Sequence, residues 1–304
     1  MYSTLLKRCV RIGPIVQEHI TSAFSVASAS QFETLNVSVP KEFVYHVEIN
    51  RPQKMNAMNR PMWLEIGKCF SDLGDNPDCR VIILSGAGKL FTAGIDFGDF
   101  AQMASIVSDH DDVARRCKAF RTLIKTYQDS LSSLEKCCKP VICAVHNVCL
   151  GAGVDLITAA DIRLCTKDAW FQVKEVDVGM AADVGTLQRL PKVTRNESLI
   201  RELALTGRRF DSTEAKECGL VSQLFEDKDR MIDGAIKLAS EIASKSPVAT
   251  QVTKRSIVFS RDHTVQEGLD HIRDWNMAML QSEDFMKATM AQATKSPPLQ
   301  FAKL

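Results

Sequence analysis

Two continuous apolar runs of strand length, Val81-Ile82-Ile83-Leu84-Ser85 and Val141-Ile142-Cys143-Ala144-Val145, set the strongest limit on how this chain folds. A strand with one wet face alternates apolar and polar residues, so an uninterrupted apolar run needs cover on both faces. The sequence between them supplies a helix. Over residues 110–137, Val113, Cys117, Phe120, Ile124, Tyr127 and Leu131 recur at alternating steps of four and three. Upstream, Phe43–Ile49 reads as a strand closed by Asn50-Arg51-Pro52. Asn59 ahead of Pro61 reads as the cap of a helix running towards Leu73. Gly86 through Gly98 reads as a glycine-rich loop. Lys139-Pro140 interrupts the long helix; a second glycine turn, a helix from about Ala152, and strands Ile162–Thr166 and Ala169–Val173 then follow. Strands and helices alternating in this way predict an α/β fold of stacked β-β-α units. Beyond Leu199 the pattern is almost all helical, with breaks at Thr206-Gly207 and Cys218-Gly219. The expected division is a targeting segment at 1–33, a core at 34–244, and a helical region and tail at 245–304.

Charge narrows the function classes. A net charge of +1 with no basic stripe argues against nucleic acid as the main partner. Ten cysteines lie scattered or adjacent without a C-x-x-C pair, which reads as free thiols in a reducing compartment rather than a disulfide framework. His46 and His146 sit in apolar runs and read as core residues, so no metal site is expected. The ends carry addresses. Residues 1–30 hold Lys7, Arg8 and Arg11 against the single acid Glu18, the composition of a mitochondrial transit peptide. Ala302-Lys303-Leu304 is a conservative variant of the peroxisomal tripeptide, expected on an exposed, flexible tail. No run of 18 apolar residues exists, so no membrane span is expected.

Familiar phosphate-binding motifs fail on inspection. A P-loop ending at Gly88-Lys89 would need glycine where Ile83 stands and Ser or Thr where Leu90 stands. The dinucleotide fingerprint starting at Gly151 meets Leu156 in place of its third glycine. No G-x-S-x-G elbow occurs. What stands out instead is acid in apolar surroundings: Asp155, Glu175 and Asp183, set among Val, Leu, Ala and Gly. A desolvated carboxylate needs a partner charge, hydrogen bonds, or a proton, and a raised proton affinity is what general acid–base catalysis uses. For any one of the three, a turn or capping role beside glycine is the better reading; all three together favour catalysis. Two glycine turns, Thr92-Ala93-Gly94-Ile95-Asp96 and Gly151-Ala152-Gly153, offer backbone N–H groups. Two amides converging on one carbonyl oxygen would make an oxyanion hole. Either turn alone reads as a plain turn.

From about residue 40 onward the chain resembles the crotonase, or enoyl-CoA hydratase/isomerase, superfamily. The resemblance rests on Arg51-Pro52-Gln53-Lys54-Met55-Asn56-Ala57-Met58, the stretch from Ser85 to Asp96, Lys139-Pro140-Val141-Ile142-Cys143-Ala144-Val145-His146, and Leu150-Gly151-Ala152-Gly153, in the family's order and spacing. It implies a crotonase-like spiral of β-β-α units with a C-terminal helical trimerisation region, and a homotrimer or homohexamer. It also implies an acyl-CoA substrate with no cofactor, and an oxyanion hole at the amides of Ile95 and Ala152. Lys54 beside small Ala57, with Gly94, Ile95, Asp96, Phe97 and Gly98 opposite, would hold the CoA moiety. Hydratases of the superfamily resemble a glutamate pair at the positions of Asp155 and Glu175. The added Asp183 is similar to the arrangement in dienoyl-CoA isomerases, which move the double bonds of a 3,5-dienoyl-CoA to the 2,4 positions. That resemblance makes Asp183 the base at C2, Glu175 the acid at C6, and Asp155 an auxiliary group orienting or tuning Glu175. Related motifs continue in Arg261-Asp262-His263. A hydratase with Asp155 and Glu175 around one water, and a non-catalytic acyl-CoA binder, are the alternatives. Two departures stand out: Asn147 where the family commonly has Gly, and Ala152 inside the usual glycine triplet. A positive φ at Ala152 would distort the hole.

Overall fold

The two apolar runs lie side by side in the middle of a sheet. The computed structural model describes residues 32–297 and 299–304. Its first half runs β1 (Leu35–Lys41), β2 (Val44–Ile49), α1 (Arg60–Asp75), β3 (Val81–Gly86), α2 (Phe97–Ser108), α3 (Val113–Lys136), β4 (Val141–Val145), β5 (Val148–Leu150) and α4 (Ala152–Thr158). There follow β6 (Ile162–Thr166), β7 (Trp170–Gln172), α5 (Thr186–Val193), α6 (Glu197–Thr206), β8 (Phe210–Asp211), α7 (Ser212–Glu217) and β9 (Gln223–Phe225). The last helices are α8 (Lys228–Ala243), α9 (Pro247–Arg261), α10 (Val265–Met279) and α11 (Glu283–Thr294). One sheet has the order β1-β2-β3-β4-β6-β9, and a smaller one the order β5-β7-β8. The large sheet is parallel except at its β1–β2 edge.

Both faces of β3 and β4 are covered, which accounts for their unbroken apolar sequence. Ile82 and Leu84 share one core with Trp63 and Phe70 of α1 and Leu131 and Leu134 of α3. Val81 and Ile83 share a second core with Met231, Ala235, Ala239 and Ala243 of α8. The alanines of α8 recur every fourth residue, so one helix face is small enough to lie close on the strands. Each fully buried Val, Ile or Leu here contributes roughly 1.5–3 kcal/mol. Local signals hold as well. Asn59 caps α1 by accepting from Met62 N–H, with proline in the first turn. His46 bonds Ser85 Oγ at 2.7 Å and His146 bonds Gly88 O at 3.0 Å, and burial lowers the proton affinity of both rings. The nine described cysteines are free thiols, most of them buried, with Cys117 exposed.

The fold departs from the sequence reading in several places. Edge strand β1 is missing from the sequence reading, although Leu35-Asn36-Val37-Ser38-Val39 alternates apolar and polar residues; only Leu35 of the strand is buried. The stretch read as a loop to Gly98 ends earlier, because Asp96 caps α2 by accepting from Gly98 N–H, and Phe97 and Gly98 form that helix's first turn. β8 and β9 are too short to leave a periodic signal. The targeting segment lies outside the described residues for 1–31, but Phe32 and Glu33 belong to the body. Phe32 packs on the core, and Glu33 and Thr34 N–H donate to the Glu65 carboxylate at 2.7 and 2.8 Å. The C-terminal tripeptide is docked rather than loose. Arg80 donates to Phe301 O at 2.6 Å and Ala302 O at 3.2 Å, Lys303 pairs with Asp78, and Lys139 Nζ donates to Leu304 O at 3.3 Å. The side chains of Lys303 and Leu304 remain exposed.

Candidate active site

The Thr92–Asp96 loop is fixed from two sides. Against β5, Thr92 N–H donates to Val148 O at 3.0 Å and Leu150 N–H donates to Thr92 O at 3.2 Å. Against the 55–58 loop, Ala93 N–H donates to Met55 O, Met58 N–H to Gly94 O, and Asp96 N–H to Met58 O, at 3.0, 2.7 and 3.0 Å. Thr92 Oγ1 donates to Asn56 O at 2.6 Å and accepts from Gly94 N–H at 3.1 Å. Two glycines let the loop and α4 meet. Gly94 has φ +86°, and a Cβ there would stand 2.9 Å from Leu150 O. A Cβ on Gly153 would stand 2.4 Å from the Thr92 methyl. Gly151 carries the strained turn at φ +47°, so Ala152 is free to be the first residue of α4. Ala152 is not among the described residues with positive φ, which removes the expected distortion of the hole. Asn147 does take the left-handed conformation, with φ 53°. The N–H groups of Ile95 and Ala152 have no acceptor among the described residues, and both residues line one cavity of about 340 Å³.

Two of the three acids line the same cavity. Glu175 opens a 3-10 turn, Glu175–Val178, just after β7, with its carboxylate against Gly151. Its Oε2 is buried with no hydrogen-bond partner among the described residues. Desolvation raises its proton affinity, and the nearby charge of Asp183 adds to the rise. Asp183, half-buried ahead of α5, also holds its proton more tightly than an ordinary aspartate because of burial. Its backbone carbonyl accepts from Gln128 Nε2 at 2.7 Å. Asp155 does not line the cavity. It lies fully buried in α4, with Oδ1 accepting from Thr186 N–H at 2.5 Å and Oδ2 unpartnered among the described residues. Burial first, and then the charge of Glu175, push its carboxyl up to about 7. Two carboxyls of raised proton affinity on one cavity, with a third buried beside them, suit acid–base chemistry.

Apolar residues form the rest of the wall. Phe120, Leu123, Ile124 and Tyr127 of α3 face the cavity, and Trp63 of α1 stacks on Tyr127 with ring centroids 4.5 Å apart. Trp63 is fixed by donating from Nε1 to Met58 O at 3.2 Å. Trp63 is 1% exposed while Phe97 is 72% exposed, so the cavity runs from a sealed floor to an open mouth. Of the residues expected to hold CoA, Gly94, Ile95 and Phe97 line the cavity. Lys54, Ala57, Asp96 and Gly98 do not. Lys54 is exposed at the end of a short 3-10 turn, and Ala57 O accepts from Arg51 Nη1. Asp96 is occupied by Gly98 N–H and by Arg51 at 2.9 Å, both of which hold it below the usual carboxylate range. The sequence reading did not find Trp63, Tyr127 or Gln128 as site residues. The α3 stripe was legible as a helix face, but a cavity wall and a packed core ask for the same side chains.

An apolar cavity with two amides that lack acceptors among the described residues and carboxyls of raised proton affinity suits an enzyme that moves protons beside a developing oxyanion, and the comparisons give the class. Residues 40–299 match the family described as "Enoyl-CoA hydratase/isomerase", and the chain belongs to that family, the crotonase superfamily. Within it, the chain is similar to Delta(3,5)-Delta(2,4)-dienoyl-CoA isomerase, mitochondrial, of Pongo abelii, with 50% identity over 295 residues, covering 96% of this chain and 89% of that protein. It is also 46% identical over 261 residues to the Arabidopsis thaliana protein named Delta(3,5)-Delta(2,4)-dienoyl-CoA isomerase, peroxisomal, covering 86% and 93% of the two chains. Among solved structures, an enoyl-CoA hydratase from Bacillus anthracis is similar at TM-score 0.79 and 25% identity, covering 88% of this chain and 98% of that one.

Proposed function

We propose that the chain isomerises 3,5-dienoyl-CoA to 2,4-dienoyl-CoA in fatty-acid β-oxidation. The observation that carries this is the pairing of Glu175 and Asp183 on one apolar cavity with the free amides of Ile95 and Ala152. Asp183, in its carboxylate form, takes the proton from C2. The electrons move onto the thioester oxygen, where the Ile95 and Ala152 N–H groups hold the negative charge. As that charge returns along the diene, protonated Glu175 delivers a proton to C6, and the double bonds then lie at C2 and C4. Asp183 ends with a proton and Glu175 without one, so exchange with water restores the starting state. Every group needed is a side chain or backbone amide of the chain, which fits an enzyme that uses no cofactor. Relatives with the same activity in their names support the reading.

A hydratase would need two carboxylates around one water. Asp155 stands outside the cavity, which leaves Glu175 without that partner. The purified protein should therefore convert a 3,5-dienoyl-CoA, seen as growth of the conjugated 2,4-dienoyl absorbance, far faster than it hydrates a 2-enoyl-CoA. Preferential hydration would overturn the proposal, and binding of both thioesters without turnover would favour a non-catalytic role.

The CoA moiety is proposed to cross the rim made by the Arg51–Met58 and Gly94–Gly98 segments, near exposed Lys54. Lys54→Glu should weaken acyl-CoA binding several-fold, with a smaller effect on turnover of bound substrate; an unchanged CoA dissociation constant would remove this placement. Division into a catalytic core and a C-terminal helical region that assembles trimers or hexamers is likewise proposed. Large apolar side chains on α10 and α11 stand in water, among them Val265 at 82% and Met290 at 70% exposure, more than an isolated helical surface needs. A monomer in sedimentation would count against it. The relatives' names place them in mitochondria or peroxisomes, and the same compartments are proposed here; fractionation that finds the protein in neither would refute this.

A further inference from the structure

We propose that one polar stripe of α3, made by Gln128, Ser132 and Glu135, is the device that positions Asp183 for the reaction. The inference rests on the reading of Asp183 as the base. Asp183 sits on an irregular stretch between the Glu175–Val178 turn and α5, so its own segment supplies no ladder or helix to aim its side chain. A reacting group placed in this way needs support from outside. α3 supplies it at both ends of the segment. At the near end, Gln128 Nε2 donates to Asp183 O at 2.7 Å. At the far end, Arg189 Nη2 donates to Ser132 Oγ at 2.8 Å and pairs with Glu135 Oε2 at 3.2 Å. The Arg189 guanidinium fills the space beside Gly185, with Nη1 only 2.1 Å from where a Cβ would stand; Gly185 has φ +146°. Residues 128, 132 and 135 are spaced four and three apart and so share one helix face.

The chemistry of the contact suits a base. Gln128 holds the backbone carbonyl and leaves the carboxylate alone, so this contact does not drain the basicity of Asp183; the lowering contribution comes from the residue's own backbone N–H, and burial outweighs it. The adjoining face of the same helix carries Phe120, Leu123, Ile124 and Tyr127, which wall the cavity. Substrate chain and base therefore take their positions from one rigid element. The Arg261-Asp262 pair from the sequence reading finds its place here too: Arg261 pairs with Glu135, and Asp262 with Lys192 of α5. The α9 end of the C-terminal region thus braces the same support.

Gln128→Met keeps the length of the side chain and removes the donor. It should lower kcat for dienoyl isomerisation by about 10²-fold, the effect of misplacing a reacting group by about an ångström, with KM and melting temperature near those of the unaltered protein. Exchange of the substrate C2 proton with deuterated water should fall by the same factor, because that step belongs to Asp183. Gln128→Glu, which keeps shape but sets an acceptor against the Asp183 carbonyl, should be at least as slow and serves if the methionine variant folds poorly. Unchanged kcat in either folded variant, a loss that appears equally in KM and stability, or normal C2 exchange beside a low kcat would each overturn the proposal. Asp183→Asn measured in parallel separates the two ideas: an active Asp183→Asn removes the base assignment, whereas a dead Asp183→Asn beside a fully active Gln128→Met removes only the positioning role.

Discussion

Asp183→Asn is expected to lower kcat for 3,5-dienoyl-CoA isomerisation by about 10²–10⁴-fold, the usual contribution of one positioned acid–base group. The amide keeps the shape of the carboxylate and its backbone tie to Gln128, so acyl-CoA affinity and thermal stability should change little. Glu175→Gln should be equally damaging, because the far end of the diene then has no proton donor. The two variants fail in distinguishable ways. With Asp183→Asn, exchange at C2 should disappear. With Glu175→Gln, C2 exchange should persist while product does not form, since deprotonation and charge capture by Ile95 and Ala152 remain in place. Near-normal isomerisation by Asp183→Asn would remove Asp183 as the base.

The second large effect is on stability, and it comes from Asp155. Burial and the charge of Glu175 push its folded-state carboxyl up to about 7, against 3.8 for an ordinary aspartate, so between those values the folded chain keeps a proton that the unfolded chain has released. Its contribution to stability is therefore full below about pH 4, falls as pH rises towards 7, and is lost above it, a swing of up to about 4 kcal/mol. Asparagine does not titrate. Asp155→Asn should be about 1–3 kcal/mol less stable than the unaltered protein near pH 4, where its amide N–H₂ inherits the unpartnered position of Oδ2, and should exceed its stability by about 1–3 kcal/mol at pH 8. Denaturant unfolding across that pH range measures it; a stability difference that does not vary with pH would refute the account. Activity of Asp155→Asn should fall less than that of Asp183→Asn, because Asp155 does not line the cavity. A residue that weakens the fold at neutral pH fits a supporting role beside Glu175, whose charge contributes to the rise.

What could be read from sequence was local. β3 and β4 were visible as doubly covered strands, α1 by its Asn59 cap, and the acids by their apolar neighbours. The glycines of both turns were visible too, though not their reason: Gly94 and Gly153 are small because each meets the other's segment. Asp155 read as auxiliary to Glu175 only through the family resemblance, because sequence spacing alone says nothing about which carboxylate faces a cavity and which is sealed away from it. Gln128 gave no signal at all. It is one polar residue on a long amphipathic helix, and its partner is 55 positions away. Edge strand β1 differs: Leu35-Asn36-Val37-Ser38-Val39 alternates apolar and polar residues, a signal present in the sequence although only Leu35 is buried.

The interlock of Gly94 with Leu150, and of Gly153 with Thr92, bears on how such a scaffold can diversify. The two amides proposed to hold the charge belong to one hydrogen-bonded piece built from the Thr92–Asp96 loop, β5 and α4. Asp183, the proposed base at C2, hangs from a different stretch, tied to α3. On the proposed mechanism, substitutions in that stretch would redirect the reaction along an acyl chain without disturbing the part that stabilises the anion. The scaffold is modular in this sense: a fixed electrostatic half, and an interchangeable half that a lineage can re-aim one residue at a time.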